Sequence, residues 1–143
     1  MAALEIARVA AGELAPFYRE QERAALRALY GFSVVWHEQT HDFAAFAADR
    51  SVVGGATIRI AASLAHVERV IVDPAHRRGG IGRALLEAAA EVASYYNCHK
   101  MSALVPRASD AQRFLEACAY REEAVLPQHT FKLDVAAMRR FLL

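Results

Sequence analysis

Val70-Ile71-Val72-Asp73-Pro74-Ala75-His76-Arg77-Arg78-Gly79-Gly80-Ile81-Gly82-Arg83 joins a strand-like run to a glycine-rich turn and then to a helical pattern. The β-branched run Val70, Ile71 and Val72 suits a strand. Asp73-Pro74 stops it, because proline has no N–H for the ladder. From Ile81 to about Tyr96, the apolar residues Ile81, Leu85, Leu86, Ala89, Val92 and Ala93 return on one helical face. The first-turn N–H groups of such a helix have no intrahelical acceptor and sit at the positive end of its dipole. Gly79, Gly80 and Gly82 let the backbone approach a guest, and Arg77, Arg78 and Arg83 add local positive charge. The segment is an anion cradle, and a pyrophosphate is a natural guest.

Other readings of the same residues stay open at this point. The glycines could serve only a tight strand-to-helix turn, with the arginines solvated. A nucleotide-binding P-loop fails because no Gly-Lys-Ser/Thr follows. A dinucleotide fingerprint needs a third glycine where Leu85 stands, and it should open the chain, not follow several strands.

Upstream of the cradle, Leu4, Ile6 and Val9 alternate as a short opening strand that Gly12 ends. A helix is expected from Glu13 to about Leu29, with Pro16 in its first turn and Gly31 after it. Phe32 to Asp42 has no clean period. Phe43 to Ala48 and Val52 to Ile60 read as strands joined by Asp49-Arg50-Ser51, and Ala65 to Val72 reads as the third after a turn at Ala61-Ala62-Ser63. Downstream come a buried-type strand, Met101 to Val105, and a helix capped by Ser109 or Asp110 that carries Phe114, Leu115 and Cys118. Two strand-like runs follow, Glu122 to Leu126 and Thr130 to Val135, then a short helical end, Ala136 to Leu142. The fold class expected is α+β, with a mixed α/β sheet that is antiparallel early and parallel where helices cross over.

The 143 residues fit one ordinary domain and bury a core without staples. Lys plus Arg number 17 against 16 Asp plus Glu, so bulk charge predicts neither a nucleic-acid nor a membrane partner. Cys98 and Cys118 form no C-x-x-C and have no histidine at ligand spacing. Neither a metal site nor a disulfide framework is expected, and buried thiols in a reducing compartment are. The first residues lack a signal-peptide core and no segment runs to eighteen apolar residues, which predicts a cytoplasmic protein.

The cradle and its setting resemble the GNAT superfamily of N-acetyltransferases. That family's acetyl-CoA signature, R/Q-x-x-G-x-G/A after a strand ending in V-x-P, is matched by Val72-Asp73-Pro74 and by Arg77-Arg78-Gly79-Gly80-Ile81-Gly82. The order of elements is similar over nearly the whole chain, and residue by residue from about Ala65 to Tyr120. The resemblance implies a GNAT-like fold of six to seven strands and about four helices. It also implies a splayed parallel pair, Ala65 to Val72 and Met101 to Val105, that takes the pantetheine arm of acetyl-CoA. Backbone groups of Val70, Ile71 and Val72 would then hold the arm and polarise the thioester, and Arg77 through Arg83 would hold the pyrophosphate.

The implied chemistry is acetyl transfer to a small-molecule or peptide amine by direct attack in a ternary complex. His66 and Glu68, two apart on a strand and so expected on one face, are the candidate bases; the plainer reading is a surface ion pair and a satisfied polar histidine. The family's usual tyrosine acid is replaced by Leu115, and its asparagine by Ala108, leaving Ser109 and Gln112 as candidates to bond the cofactor. Tyr30, Trp36, His37, Glu38, His41 and His129 fall where acceptors are recognised, although a Trp and a Tyr after a helix are usually packing. A catalytically weak acyl-CoA sensor or structural module is the competing reading, and a nucleotide-dependent oxidoreductase the next. The apolar end Met138 to Leu143 is suited to a homodimer contact.

Overall fold

The computed structural model describes residues 3–34 and 38–142. They fall into two compact units, Met1–Trp36 and His37–Leu143. The first holds helix α1, Ala15–Tyr30, with proline in its first turn as expected and Gly31 closing its end through an N–H to the Arg27 carbonyl. The expected opening strand is not formed. Residues 3–10 make no ladder, and Leu4 and Ile6 stand exposed. Alternation makes a strand only where an edge supplies the hydrogen bonds.

The second unit is a six-stranded mixed sheet. Its strands are β1 (Glu38–Phe46), β2 (Val52–Ala61), β3 (Leu64–Val72), β4 (Lys100–Pro106), β5 (Arg121–Thr130) and β6 (Leu133–Phe141), in the order β1-β2-β3-β4-β6-β5. All pairs are antiparallel except β3 with β4, which the crossover helix α2 (Ile81–Tyr95) connects. Helix α3 (Asp110–Ala117) follows β4, and the Ser109 side chain caps it by accepting from Gln112 N–H. Three α-helices and six strands are present among the described residues, against the expected four and six to seven.

Helices α2 and α3 bury one face. Ile58, Ile60, Ala65, Val67, Met101, Ala103, Ala136 and Met138 of the sheet pack on Leu86, Ala89, Ala93, Leu115 and Cys118. Alanine dominates the α2 side, so helix and sheet approach closely with little side-chain entropy lost. The strand phase of β1, β2 and β4 puts Glu38, Arg59 and Ser102 on the opposite face.

The chain's last segment corrects the helical reading of Ala136 to Leu142. Its register against β4 runs from Lys100↔Phe141 to Pro106↔Val135, so it inserts between β4 and β5 as a strand. Val135, Ala136 and Met138 are buried while Ala137 and Arg139 are only half-buried, and ladder pairing on both sides outweighs the local helix preference of Ala, Met and Arg. Pro127, which falls between the expected strand runs Glu122 to Leu126 and Thr130 to Val135, lies within β5, where an edge strand tolerates a missing donor. Met138 is consumed by the chain's own core and is not an outward contact.

Candidate active site: a forked strand pair above an uncapped helix

Strands β3 and β4 pair at only three positions, Leu64↔Lys100, Ala65↔Met101 and His66↔Ser102. Beyond that rung β3 runs six more residues to Val72 with no β4 partner, while β2 keeps its other edge paired through Ala56↔Val70, Gly55↔Ile71 and Gly54↔Val72. The parallel pair is thus a fork, closed at His66 and open toward the start of α2.

A bulge shapes β3 within the fork. Thr57 pairs with Arg69 and Ile58 with Val67, so Glu68 is the extra residue. Such an insertion twists the strand and changes which residues face inward. Ala65 and Val67 are buried before it, Glu68 and Arg69 are both exposed, and Val70 packs against the core after it.

At the open end stands the cradle. No side chain caps α2, and its N-cap, Gly80, has φ +83°, a conformation that carries little penalty only for glycine. Ala84 N–H begins the helical ladder by donating to the Gly80 carbonyl at 3.0 Å. The first-turn amides of Ile81, Gly82 and Arg83 therefore remain available to an anion. The three arginines behave differently from one another. Arg77 Nε donates to the Val72 carbonyl at 3.1 Å, and Arg83 Nη2 to the Ala117 carbonyl at 2.8 Å. Among the described residues only Arg78 of the three has its guanidinium without a protein partner.

Gly82 has a second duty. A β-carbon there would meet the Phe114 ring of α3 at 2.9 Å. Gly82→Ala should therefore destabilise the fold by about 1–3 kcal/mol, the usual cost of overpacking, with the Phe114 ring displaced. Denaturant unfolding of the two proteins measures it, and an unchanged midpoint would show that the ring yields freely.

At the closed end, His66, Glu68 and Glu38 come together around Arg59, which the sequence reading did not select. Arg59 is the register partner of His66, donates Nε to Glu68 Oε1 at 3.0 Å, and lies 3.8 Å through Nη1 from Glu38 Oε1. His66 and Glu68 thus do share a face, held by this arginine across a bulge that simple alternation does not foresee. His66 Nδ1 lies 3.0 Å from Ser102 Oγ on β4. Burial lowers the His66 pKa, the Arg59 cation acts in the same direction, and Glu68 partly opposes them. The ring is consequently held neutral near pH 7.

The remaining candidates lie elsewhere. Gln112 is buried, accepting from Ala108 N–H at 2.7 Å and donating to Glu122 at 3.1 Å, so with Ser109 acting as a cap both side chains serve the β4–α3 corner. His41 points to the helix side, 5.4 Å from the Tyr96 ring, and His129 bonds Thr130 on the exposed edge strand. Tyr30 belongs to the first unit, while Trp36 and His37 lie outside the described residues. Leu115 is in the core. Tyr120 is also buried, its hydroxyl facing Met101 Sδ at 3.5 Å and its pKa pushed up by burial, so it offers no accessible acid. Two surface hollows, of about 440 and 530 Å³, are lined by Phe43, Ala45, Ile81 and Leu85 and by Glu116, Arg121 and Arg139 respectively; neither includes a residue of the fork. No three His, Cys, Asp or Glu side chains among the described residues converge as a metal site, and no described helix is long and apolar enough to cross a membrane.

A mixed sheet whose one parallel pair forks over an uncapped, glycine-rich helix start is the architecture of an acyltransferase. The sequence model of the Acetyltransferase (GNAT) family matches residues 6–120, and the chain belongs to that family. No curated protein sequence matches it significantly. Among solved structures, an acetyltransferase from Bacillus cereus ATCC 14579 superposes with a TM-score of 0.76 at 15% identity, covering 96% of this chain and 97% of its own. A candidate acetyltransferase from Agrobacterium tumefaciens gives 0.71 at 21%, covering 98% and 99%. The ribosomal-protein-S18-alanine N-acetyltransferase from Escherichia coli gives 0.64 at 19%, covering 95% and 92%. At these identities the structural likeness speaks for the fold alone.

Proposed function

We propose that the chain moves an acetyl group from acetyl-CoA to an amine by direct attack within a ternary complex. The observation that carries this reading is the fork, whose three-rung closure leaves the β4-facing edge of β3 without a partner from Val67 to Val72 and leads to a helix start that no side chain caps. A pyrophosphate suits the amides of Gly79 through Arg83 with Arg78 beside them, and an extended pantetheine arm suits the vacant β4-facing edge of Val70, Ile71 and Val72.

Acetyl-CoA supplies an activated acyl group on a thiol leaving group. The residues of the chain then have three tasks. Backbone N–H groups at Val70 or Ile71 can stabilise the developing oxyanion. Neutral His66 is the better placed proton acceptor, directly or through water, because Glu68 is already engaged by Arg59. Glu38, exposed and only loosely tied to Arg59, can attract a cationic amine, whether a small molecule or a peptide. Near-balanced charge and two free buried thiols support a cytoplasmic protein without nucleic-acid or membrane partners.

The buried Leu115 and Tyr120 favour a second reading, a catalytically weak acyl-CoA sensor, since neither position offers an accessible phenol to protonate the thiolate. Mixing the protein with acetyl-CoA and a panel comprising spermidine, a peptide with a free N-terminal alanine, and hydroxylamine separates the two. Release of free thiol well above the uncatalysed rate is the expected result. Tight acetyl-CoA binding with no release for every amine would support the sensor, and stabilisation by NAD or NADP in preference to acetyl-CoA would overturn both.

A further inference from the structure

We propose, in an inference that rests on the transferase reading, that Arg69 selects the acceptor by holding a carboxylate carried beside the reacting amine, so that the acceptor is a free α-amino acid with an apolar side chain. Strand register is the first argument. Strict alternation from His66 would turn Arg69 and Ile71 toward the helices and Val70 away from them. The extra residue at Glu68 reverses this. Val70 packs against the core, while Arg69 and Ile71 stand exposed on the sheet face that the helices leave free. Bulges are common beside active sites, where they re-aim a side chain.

The surroundings of the two side chains are the second. Arg69 and Ile71 lie about 7 Å apart along the strand and bracket Val70, so they flank the amides proposed to polarise the thioester. An amine standing over that stretch from the free face meets a guanidinium on one side and an aliphatic side chain on the other. Arg69 has no hydrogen-bond or ion-pair partner among the described residues, although a carboxylate stands on either side of it. Glu68 is taken by Arg59 at 3.0 Å, and Asp42, across Thr57 in the same cross-strand row, accepts from the Thr57 hydroxyl at 2.6 Å. Ile71 is 59% exposed, because its neighbours across the sheet, Gly55 and then Ala44, are too small to cover it.

Chemistry is the third. The planar fork of guanidinium donors matches a carboxylate through two parallel hydrogen bonds and stays charged throughout the working pH range. In an α-amino acid the amine, the carboxylate and the side chain diverge from one carbon, as the thioester edge at Val70, the Arg69 guanidinium and the Ile71 side chain do around one spot on the sheet. A polyamine offers Arg69 no anion and is repelled by it. Arg69 takes no part in the bond changes. The amine nitrogen forms the C–N bond and gives its proton to His66 through water, the C–S electron pair leaves with sulfur, and solvent protonates the thiolate. Products are an N-acetyl amino acid and the free thiol of CoA.

The test measures thiol release from acetyl-CoA with leucine and with leucinamide, in which an amide replaces the carboxylate. It compares the unaltered protein with Arg69→Gln and with Arg121→Gln, which removes a cation of the same sheet face on the edge strand β5. The ratio of kcat/KM for leucine to that for leucinamide should fall by about 10-fold or more in Arg69→Gln, the usual weight of a hydrogen-bonded charge, and hold in Arg121→Gln. Taking the ratio within each protein cancels the different basicity of the two amines and any loss of folded protein. A ratio untouched by Arg69→Gln, or lowered equally by Arg121→Gln, would overturn the assignment. Release with spermidine or hydroxylamine but none with leucine would also overturn it, while leaving the transferase reading intact. Absence of release by the unaltered protein with every one of these amines would instead remove the transferase reading, and the assignment with it.

Discussion

Gly80→Asp should abolish detectable acetyl-CoA binding while leaving a folded domain. Space is not the reason, since a β-carbon at Gly80 meets nothing within 4 Å. The φ of +83° costs a non-glycine residue roughly 1 kcal/mol, which a domain of this size withstands. The large effect is electrostatic. A carboxylate at the N-cap can accept from the very first-turn amides proposed to hold the pyrophosphate, and its charge would repel a phosphate there. Like-charge juxtaposition of this kind costs several kcal/mol, so affinity should fall by at least about 100-fold. Thermal unfolding with acetyl-CoA reads it directly. At one hundred times Kd, a ligand adds roughly 2.7 kcal/mol to the unaltered protein, a rise on the order of 10 °C in Tm. The variant should show almost none. An undiminished rise would remove the cradle, and the transferase reading would go with it.

His66→Ala should lower kcat by about 100-fold or more and leave acetyl-CoA affinity untouched, because it deletes the proposed proton acceptor but no part of the cradle. The pH dependence tells this from a structural defect. Burial and Arg59 lower the His66 pKa in the fold, so in the window between the folded value and the ordinary one, about 6.5, the unfolded chain binds a proton that the native chain does not. Stability therefore rises with pH across that window, is lost as pH falls through it, and changes no further below the folded value. His66→Ala should flatten this slope, and the acid limb of the unaltered enzyme's kcat/KM profile should fall below pH 6.5. Retention of kcat by the variant, or a profile breaking above 6.5, would show that another group takes the proton.

The cradle was legible in the sequence because its parts are consecutive: a β-branched run, Asp73-Pro74, three glycines and an apolar helical stripe cover fourteen residues. The closed end of the fork was legible only in pieces. His66 and Glu68 were visible as polar residues on a strand, but Arg59 lies nine residues from Glu68 and Ser102 thirty-six from His66, and no local pattern joins them. The bulge at Glu68 was invisible because an extra residue on one strand is defined only against the register of its neighbour. Local propensity also misread Ala136 to Leu142 as helix, where pairing with β4 and β5 makes it a strand.

By itself, then, the sequence determined the glycine-rich strand-to-helix turn, the parallel crossover and the family, all of which rest on short-range geometry of backbone amides, glycines and 3.6-residue spacing. Only the tertiary structure decided where β3 and β4 part, which arginine holds Glu68, and that a serine stands beside His66. Those are matters of strand register, set by the summed pairing and packing of six segments distant in the chain.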